Sequence, residues 1–286
     1  MNGDFLQKFL FENLPVKGSF VRLDSSWKEV LTRSQPGEST RDLLGETLCA
    51  SVLLTSNIKF EGSVSLQIQS AGNMRFLLGQ CNHRGELRGV VRMREQLTSG
   101  FLNQAILAIN LEPEKEGTPY QGIVEMSEEG LVSALERYFT QSEQLDTRFW
   151  LAASATQCSG LMLQRMPGES PDSDGWNRIE ILADSVMQQE LQALDSQRLI
   201  SLLFREEDVR LFSPSEIRFN CSCSTQKVSS MLHTLGETDM NELIEERGVV
   251  EVCCEYCGRA YNFDPVDVAR IFSEPTPPLP ESKGLH

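Results

Sequence analysis

The sequence predicts an α+β protein: a large mixed α/β-sheet N-terminal domain, a helical linker and a small C-terminal zinc-binding domain. Three observations predict it. From Phe5 to about Pro167, short alternating segments dominate without the regular strand–helix alternation of a parallel fold. From 176 to 212 the apolar period turns helical. Five of the chain's eight cysteines then crowd between Cys221 and Cys257. The expected boundaries are 1–175 for the core domain, 176–216 for the linker, 217–272 for the cysteine-rich domain and 273–286 for a Pro-rich disordered tail.

Each element has a local reason. "TRDLLGETLCASVLLTSNIKF" offers Thr40 as N-cap and puts Leu43, Leu44, Thr47, Leu48, Val52 and Leu54 on an apolar helical face. "GSVSLQIQS" alternates Val64, Leu66 and Ile68 with polar neighbours, the pattern of a half-buried strand. "MRFLLGQC", "LRGVVRM", "QAILAINLE" and "YQGIVEM" read as further strands. "SEEGLVSALERYFTQSEQL" is a helix with Leu131, Leu135 and Tyr138 in register, and "TRFWLAAS" and "SGLMLQRMP" are two more strands. The polar loop "PGESPDSDG" marks a boundary. Beyond it, "WNRIEILADSVMQQELQAL" carries Ile179, Leu182, Val186 and Leu191 at helical spacing, and "SQRLISLLFREEDVRLF" predicts a second amphipathic helix. The linker is too short to cover Leu182, Val186, Leu191, Leu199, Leu202 and Leu203 by itself, so it must lie on other parts of the protein. After Ile217, "KVSSMLHTLG" and "TDMNELIEERG" are short helices, the second capped by Thr238 or Asp239 and ended by Gly248. "VVEVC" is a strand, "CEYCGRAYNF" a knuckle leading into a strand, and "DPVDVARIF" a helix with Pro265 in its first turn.

Composition narrows the function. The formal net charge is −15 over 286 residues. That excludes nucleic acid as the main partner, since phosphate binding needs a basic footprint, and it disfavours an anionic membrane. The N-terminal stretch is broken by Asp4, Lys8 and Glu12, so no signal peptide is expected, and no apolar run reaches bilayer length. The expected compartment is the cytoplasm, where clustered cysteines mean metal or redox chemistry more often than a disulfide framework. No Walker A, GxSxG, GxGxxG or HExxH pattern is present, and His83 and His233 lack ligand-spaced partners. No enzyme activity is expected.

Cys221-x-Cys223 and Cys254-x-x-Cys257 are two close thiol pairs, the arrangement a tetrahedral Zn²⁺ requires. Gly258 after the second pair lets both sulfurs turn inward. So short a segment has little core, so one bound Zn²⁺ would supply much of its folding energy. Successive strand residues face opposite sides, so Cys253 diverges from Cys254 and is left out of the set, as a small buried hydrophobe or a competing thiol. Cys49, Cys81 and Cys158 are packing residues. A disulfide across Cys-x-Cys would span about 6.6 Å of extended chain, near the limit of disulfide geometry. Strained bridges of that kind are labile and regulatory. Residue spacing alone leaves three uses open: a structural zinc-ribbon binding module, a thiol oxidoreductase working through Cys254-x-x-Cys257, and an oxidant-sensing switch.

The paired cysteines, together with "KFLFENLPVKGSFVRL", "LLTSNIKFEGSVSLQIQ", "YQGIVEM", "SEQLDTRFW", "GLMLQRMP", "LLFREEDVRLFSPSEIRFNCSC" and "EYCGRAYNFDP", resemble the thirty-three-kilodalton heat-shock protein family of redox-regulated chaperones, in family order and over nearly the whole chain. The resemblance implies an ATP-independent holdase for unfolding client proteins. In the reduced form Cys221, Cys223, Cys254 and Cys257 would hold one Zn²⁺ and the chain would be inactive. Oxidation would pair Cys221 with Cys223 and Cys254 with Cys257, release the zinc, unfold the C-terminal domain and loosen the linker. The active form would be a homodimer. Cys253 is not part of the family motif.

Overall fold

A computed structural model describes residues 3–72, 74–94, 102, 104–115, 117–127, 129–168 and 172–273. The expected disordered tail (274–286) and residues 169–171 of the boundary loop lie outside the described residues. The chain divides into two compact units at Asn220/Cys221.

In the first unit the elements run β1 (Phe5–Phe11), β2 (Val16–Leu23), α1 (Ser25–Ser34), α2 (Glu38–Thr55), β3 (Gly62–Gln69), β4 (Met74–Asn82), β5 (Glu86–Met93), β6 (Ile106–Pro113), β7 (Tyr120–Glu125), α3 (Gly130–Tyr138), β8 (Thr147–Ala153), β9 (Cys158–Arg165), α4 (Gly175–Asp184), α5 (Gln188–Ala193), α6 (Ser196–Leu203), β10 (Val209–Leu211), β11 (Ser215–Glu216) and β12 (Arg218–Phe219). They build two six-stranded sheets. The first has the order β10-β1-β2-β9-β8, with β11 also pairing with β1; the second has the order β12-β5-β4-β3-β6-β7. All pairings are antiparallel except β12 with β5. The fold is α+β, as the sequence predicts.

Helix α2 packs against strands of both sheets. Leu44, Leu48 and Leu53 are fully buried there, with Leu66 and Ile68 of β3 and Trp27 of α1 in the same cluster. Close approach is possible because two neighbours lack a side chain. A Cβ on Gly45 would lie 2.7 Å from that of Ala153, and one on Gly79 would lie 3.1 Å from the Thr47 backbone. Thr40 is not the N-cap: the helix starts at Glu38 behind Gly37, and the Thr40 hydroxyl donates to the Gly37 carbonyl at 3.1 Å. Thr40 is the third residue inside the helix, past the flanking position from which a side chain caps the first turn. Helix α3 ends earlier than the sequence pattern suggests. Its last turn widens into a π-helical turn at Phe139–Glu143, where Tyr138 Oη donates to Glu143 Oε1 at 2.8 Å.

The other face of the first sheet carries a separate core. Phe5, Phe9, Phe11 and Phe20 are buried beneath Ile179 and Ala183 of α4, Leu191 of α5, Leu199, Ile200 and Leu203 of α6, and Phe204. Phe204 meets Phe11 edge-on, with centroids 5.0 Å apart. Polar ties bind the same layer. Arg22 Nη2 donates to the carbonyls of Gln192, at 2.7 Å, and Leu194; Trp150 Nε1 donates to Asp184 Oδ1 at 3.0 Å. The linker thus lies on the sheet of the first unit. Leu202, expected to need cover, is 53% exposed. The face of α6 that turns inward is carried by Leu199, Ile200 and Leu203.

Two linker readings change. The first helical stretch is two helices, broken at Ser185–Met187, where Met187 N–H donates to Glu190 Oε2 at 3.0 Å and starts α5. The second helix stops at Leu203. Val209–Leu211 is a strand, with Phe9 opposite Leu211 and Phe11 opposite Val209. The acidic run before it is held by partners elsewhere: Glu207 by Arg178 Nε at 2.8 Å, and Asp208 by Asn13 Nδ2 at 2.9 Å. These contacts, with the free edge of β1, outweigh the helical pattern of a short segment.

The second unit contains α7 (Thr225–Leu235), α8 (Glu237–Arg247), β13 (Val250–Cys253), β14 (Ala260–Phe263) and α9 (Pro265–Ser273). Helix α8 begins before Thr238 and Asp239, with Gly236 at its N-cap, and ends at Gly248 in the left-handed region (φ 76°). Asp239 lies in the first turn, where its charge favours the helix dipole. The buried core of this unit is Val228, Leu232, Met240, Val250, Tyr261, Phe263 and Val268. Among the described residues no helix is long and apolar enough to cross a membrane.

Candidate metal centre

Cys221 and Cys223 lie in the segment leading to α7, whose N-cap is Ser224: its hydroxyl accepts from Lys227 N–H at 3.2 Å. Cys254 and Cys257 lie in the knuckle between β13 and β14. Cys254 N–H donates to the Arg259 carbonyl at 2.9 Å, and Gly258 N–H donates to the Cys254 carbonyl at 2.8 Å. Gly258 takes φ 68°, the left-handed conformation that glycine adopts without a Cβ penalty, and this closes the turn.

The four sulfurs converge. Their Sγ atoms all lie within 4.8 Å of one another. Cys221 Sγ is 3.6 Å from Cys254 Sγ, and Cys223 Sγ is 3.3 Å from Cys257 Sγ. These separations are well beyond a disulfide of about 2.05 Å. They approach the sulfur–sulfur edge of about 3.8 Å that a Zn–S bond near 2.3 Å gives in a tetrahedron. Four soft donors at tetrahedral spacing fit Zn²⁺.

Cys223 has a further partner: Tyr261 Oη donates to its Sγ at 3.1 Å. Burial pushes the Cys223 thiol up, but the hydrogen bonds from Tyr261 and the other three cysteines outweigh it, and the net shift is down, to about 7. Burial raises Cys221 and Cys257, the latter to about 12. No motif marks Tyr261, which in sequence is one apolar position of a short strand.

Cys253 is outside the cluster. It sits on β13 opposite Ala260 and is exposed, not the small buried hydrophobe that its position in the sequence suggests, because alternation turns its side chain away from the core face of Val250 and Val252. Cys49, Cys81 and Cys158 are buried in the first unit. His233 stacks on Phe272 at 5.2 Å. His83 does gather two carboxylates, Glu61 and Glu114, on the surface. Lys115 pairs with Glu61 at 2.9 Å and Arg84 pairs with Glu114, so the charge there is already balanced.

Fold and centre together define a class: a two-unit α+β protein whose small C-terminal unit is organised around four convergent thiols. Comparison with known proteins narrows it. The family model described as "Hsp33 protein" matches residues 4–264. The 33 kDa chaperonin of Nitrosococcus oceani is 41% identical over 277 residues, covering 96% of each chain. That of Methylobacillus flagellatus is 38% identical over 277 residues, covering 94% of each. The chain belongs to the Hsp33 protein family. The fold agrees with the crystal structure of the 33 kDa chaperonin (heat shock protein 33 homolog) of Thermotoga maritima, at a TM-score of 0.80 and 20% identity, over 94% of this chain and 98% of that one.

Proposed function

We propose that this chain is an ATP-independent, redox-regulated holdase of the cytoplasm, not an enzyme, and that it binds unfolding proteins under oxidative stress. The family membership and the chaperonin names of its relatives support the chaperone class. The observation that carries the redox part is the convergence of four thiols on a unit with a very small apolar core. Cys221, Cys223, Cys254 and Cys257 would hold one Zn²⁺ per chain. Bound there, the metal supplies a cross-link between the segment before α7 and the β13–β14 knuckle, and with it much of the unit's stability.

Peroxide then acts on the donors. Each pair of thiolates loses two electrons to form one S–S bond, and the peroxide that accepts them leaves as two hydroxides. The pairing, Cys221 with Cys223 and Cys254 with Cys257, follows the family resemblance. A unit without donors cannot keep its metal and unfolds. The linker helices loosen next and uncover the phenylalanine-rich face of the first sheet, an apolar surface of the kind that captures other chains. The oxidised form is a homodimer, and the net charge of −15 keeps it in solution.

The test is aggregation of a thermally unfolding reporter protein, with reduced and peroxide-treated chain side by side and zinc measured in both. Suppression only by the treated chain, with zinc released, is expected. Zinc retained through peroxide with no gain of suppression would leave the unit as a structural ribbon.

A further inference from the structure

Strand β14 turns Tyr261 and Phe263 to the same face, and both are buried in the core of the second unit. Phe263 shows that a plain aromatic ring satisfies that core. What sets Tyr261 apart is its hydroxyl, which is aimed at Cys223 Sγ at 3.1 Å while the ring remains only 8% exposed. The exposed Arg259 cation interacts electrostatically with the same hydroxyl. Arg259 also fixes the knuckle, since its carbonyl accepts from Cys254 N–H. The contact to the cluster is thus made by a buried hydroxyl, with a cation acting on it from the surface.

Four thiolates around one divalent cation leave two negative charges to be stabilised by their surroundings. A hydrogen bond donated to a ligand sulfur stabilises that charge, orients the lone pairs and draws electron density from the sulfur. A cation behind the hydroxyl strengthens the donor.

We infer that Tyr261, backed by Arg259, is a positioning residue of the thiolate centre: its hydroxyl holds Cys223 Sγ in donor geometry, tightens the hold on the metal and slows attack of an oxidant on that sulfur. This rests on the reading of the four cysteines as zinc ligands. Loss of the hydroxyl leaves Cys223 with the same ring beside it but a more electron-rich, less oriented sulfur. The centre then binds metal less tightly and loses it to peroxide sooner.

The experiment uses the full reduced chain with Tyr261→Phe, Arg259→Gln and Cys223→Ser. Zn²⁺ affinity is read by competition with a chromophoric chelator, the sulfur environment by the thiolate-to-metal charge-transfer band of the Co²⁺-loaded chain, and oxidation by the rate of Zn²⁺ release in peroxide. Tyr261→Phe is expected to weaken Zn²⁺ binding roughly 10- to 100-fold, as other partners of metal ligands do. It should also shift the Co²⁺ band to longer wavelength and speed peroxide-driven release. Arg259→Gln, at an exposed position that leaves the core intact, should shift the band in the same direction by less. Wild-type affinity and an unshifted band in Tyr261→Phe overturn the inference. So does weaker binding with no band shift in either variant, which would mark packing alone. If Cys223→Ser keeps wild-type affinity, the zinc reading itself fails. If Cys223→Ser loses Zn²⁺ while Tyr261→Phe behaves as wild type, only the role of Tyr261 fails.

Discussion

Replacing Leu199 by Ala should give the reduced protein partial holdase activity. Leu199 is fully buried on α6, among Ile200, Leu203 and the phenylalanines of the first sheet. Truncating a buried leucine removes its transfer free energy and leaves a cavity, at a cost of about 2–5 kcal/mol. Helix α6 has only eight residues, Ser196–Leu203, so it depends on this packing and not on intrinsic helicity. If the linker opens as a local unit, the whole cost falls on that opening. At about 1.4 kcal/mol per tenfold change, the open population rises roughly 30- to 4,000-fold. Leu202→Ala is the control: that side chain is 53% exposed on the same helix, and a change there should stay within about 0.5 kcal/mol. Hydrogen exchange across α4–α6 and suppression of reporter aggregation are measured on reduced, zinc-loaded samples. Leu199→Ala should exchange faster in α4–α6 and suppress aggregation without oxidant, and Leu202→Ala should do neither. Faster exchange in Leu199→Ala without any gain of suppression would refute the idea that linker opening exposes the binding surface.

Further expectations concern charge, metal and truncation. Ser in place of Cys221, Cys223, Cys254 or Cys257 should sharply weaken Zn²⁺ binding in a chelator competition, and Cys253→Ser should leave it intact, because Cys253 lies outside the cluster. Glu46 of α2 is pushed up to about 7, by burial first and by Asp42 one turn earlier. Between the ordinary glutamate value and 7 the folded chain holds a proton that the unfolded chain has lost, so the Glu46 contribution makes stability fall as pH rises through that window, by about 3 kcal/mol in all. Glu46→Gln should remove that component, seen as a smaller difference between urea midpoints at pH 5 and pH 8. A chain ending at Asn220 should keep both sheets by circular dichroism, since it retains the helices that cover the first sheet. One ending near Pro167 loses that cover and should bind a hydrophobic dye strongly.

What the sequence revealed depended on how each element is buried. β3 through β9 were legible because their apolar runs are short and bounded by turn residues. The sequence does not mark β1 and β2 as separate strands. β2 is covered on both faces, by α2 and by the linker, so "VKGSFVRL" carries little polar alternation. β10 was hidden for a different reason: "FREEDVRLF" has helical spacing, and only partners far along the chain, Phe9, Phe11, Asn13 and Arg178, turn it into a strand. In α6, Leu199 and Leu203 are buried as expected, and Ile200 takes the inward place expected of Leu202. Leu202 and Leu203 are equally apolar, and the sheet decides which of them is covered. The cysteine cluster could be read at once, because two short thiol pairs are a local pattern whose closure needs only that the chain return. Tyr261 could not, since a hydroxyl aimed at a sulfur 38 residues away leaves no periodic trace.

The central claim is that oxidation activates by unfolding, not by building a new site. The most direct measurement is hydrogen exchange by mass spectrometry on one preparation before and after peroxide, with aggregation suppression assayed on the same samples. The account predicts that exchange rises together across Cys221–Ser273 and α4–α6, that α2 and β3–β6 stay protected, and that suppression appears in the same samples. Suppression gained while α4–α6 remain fully protected would contradict it.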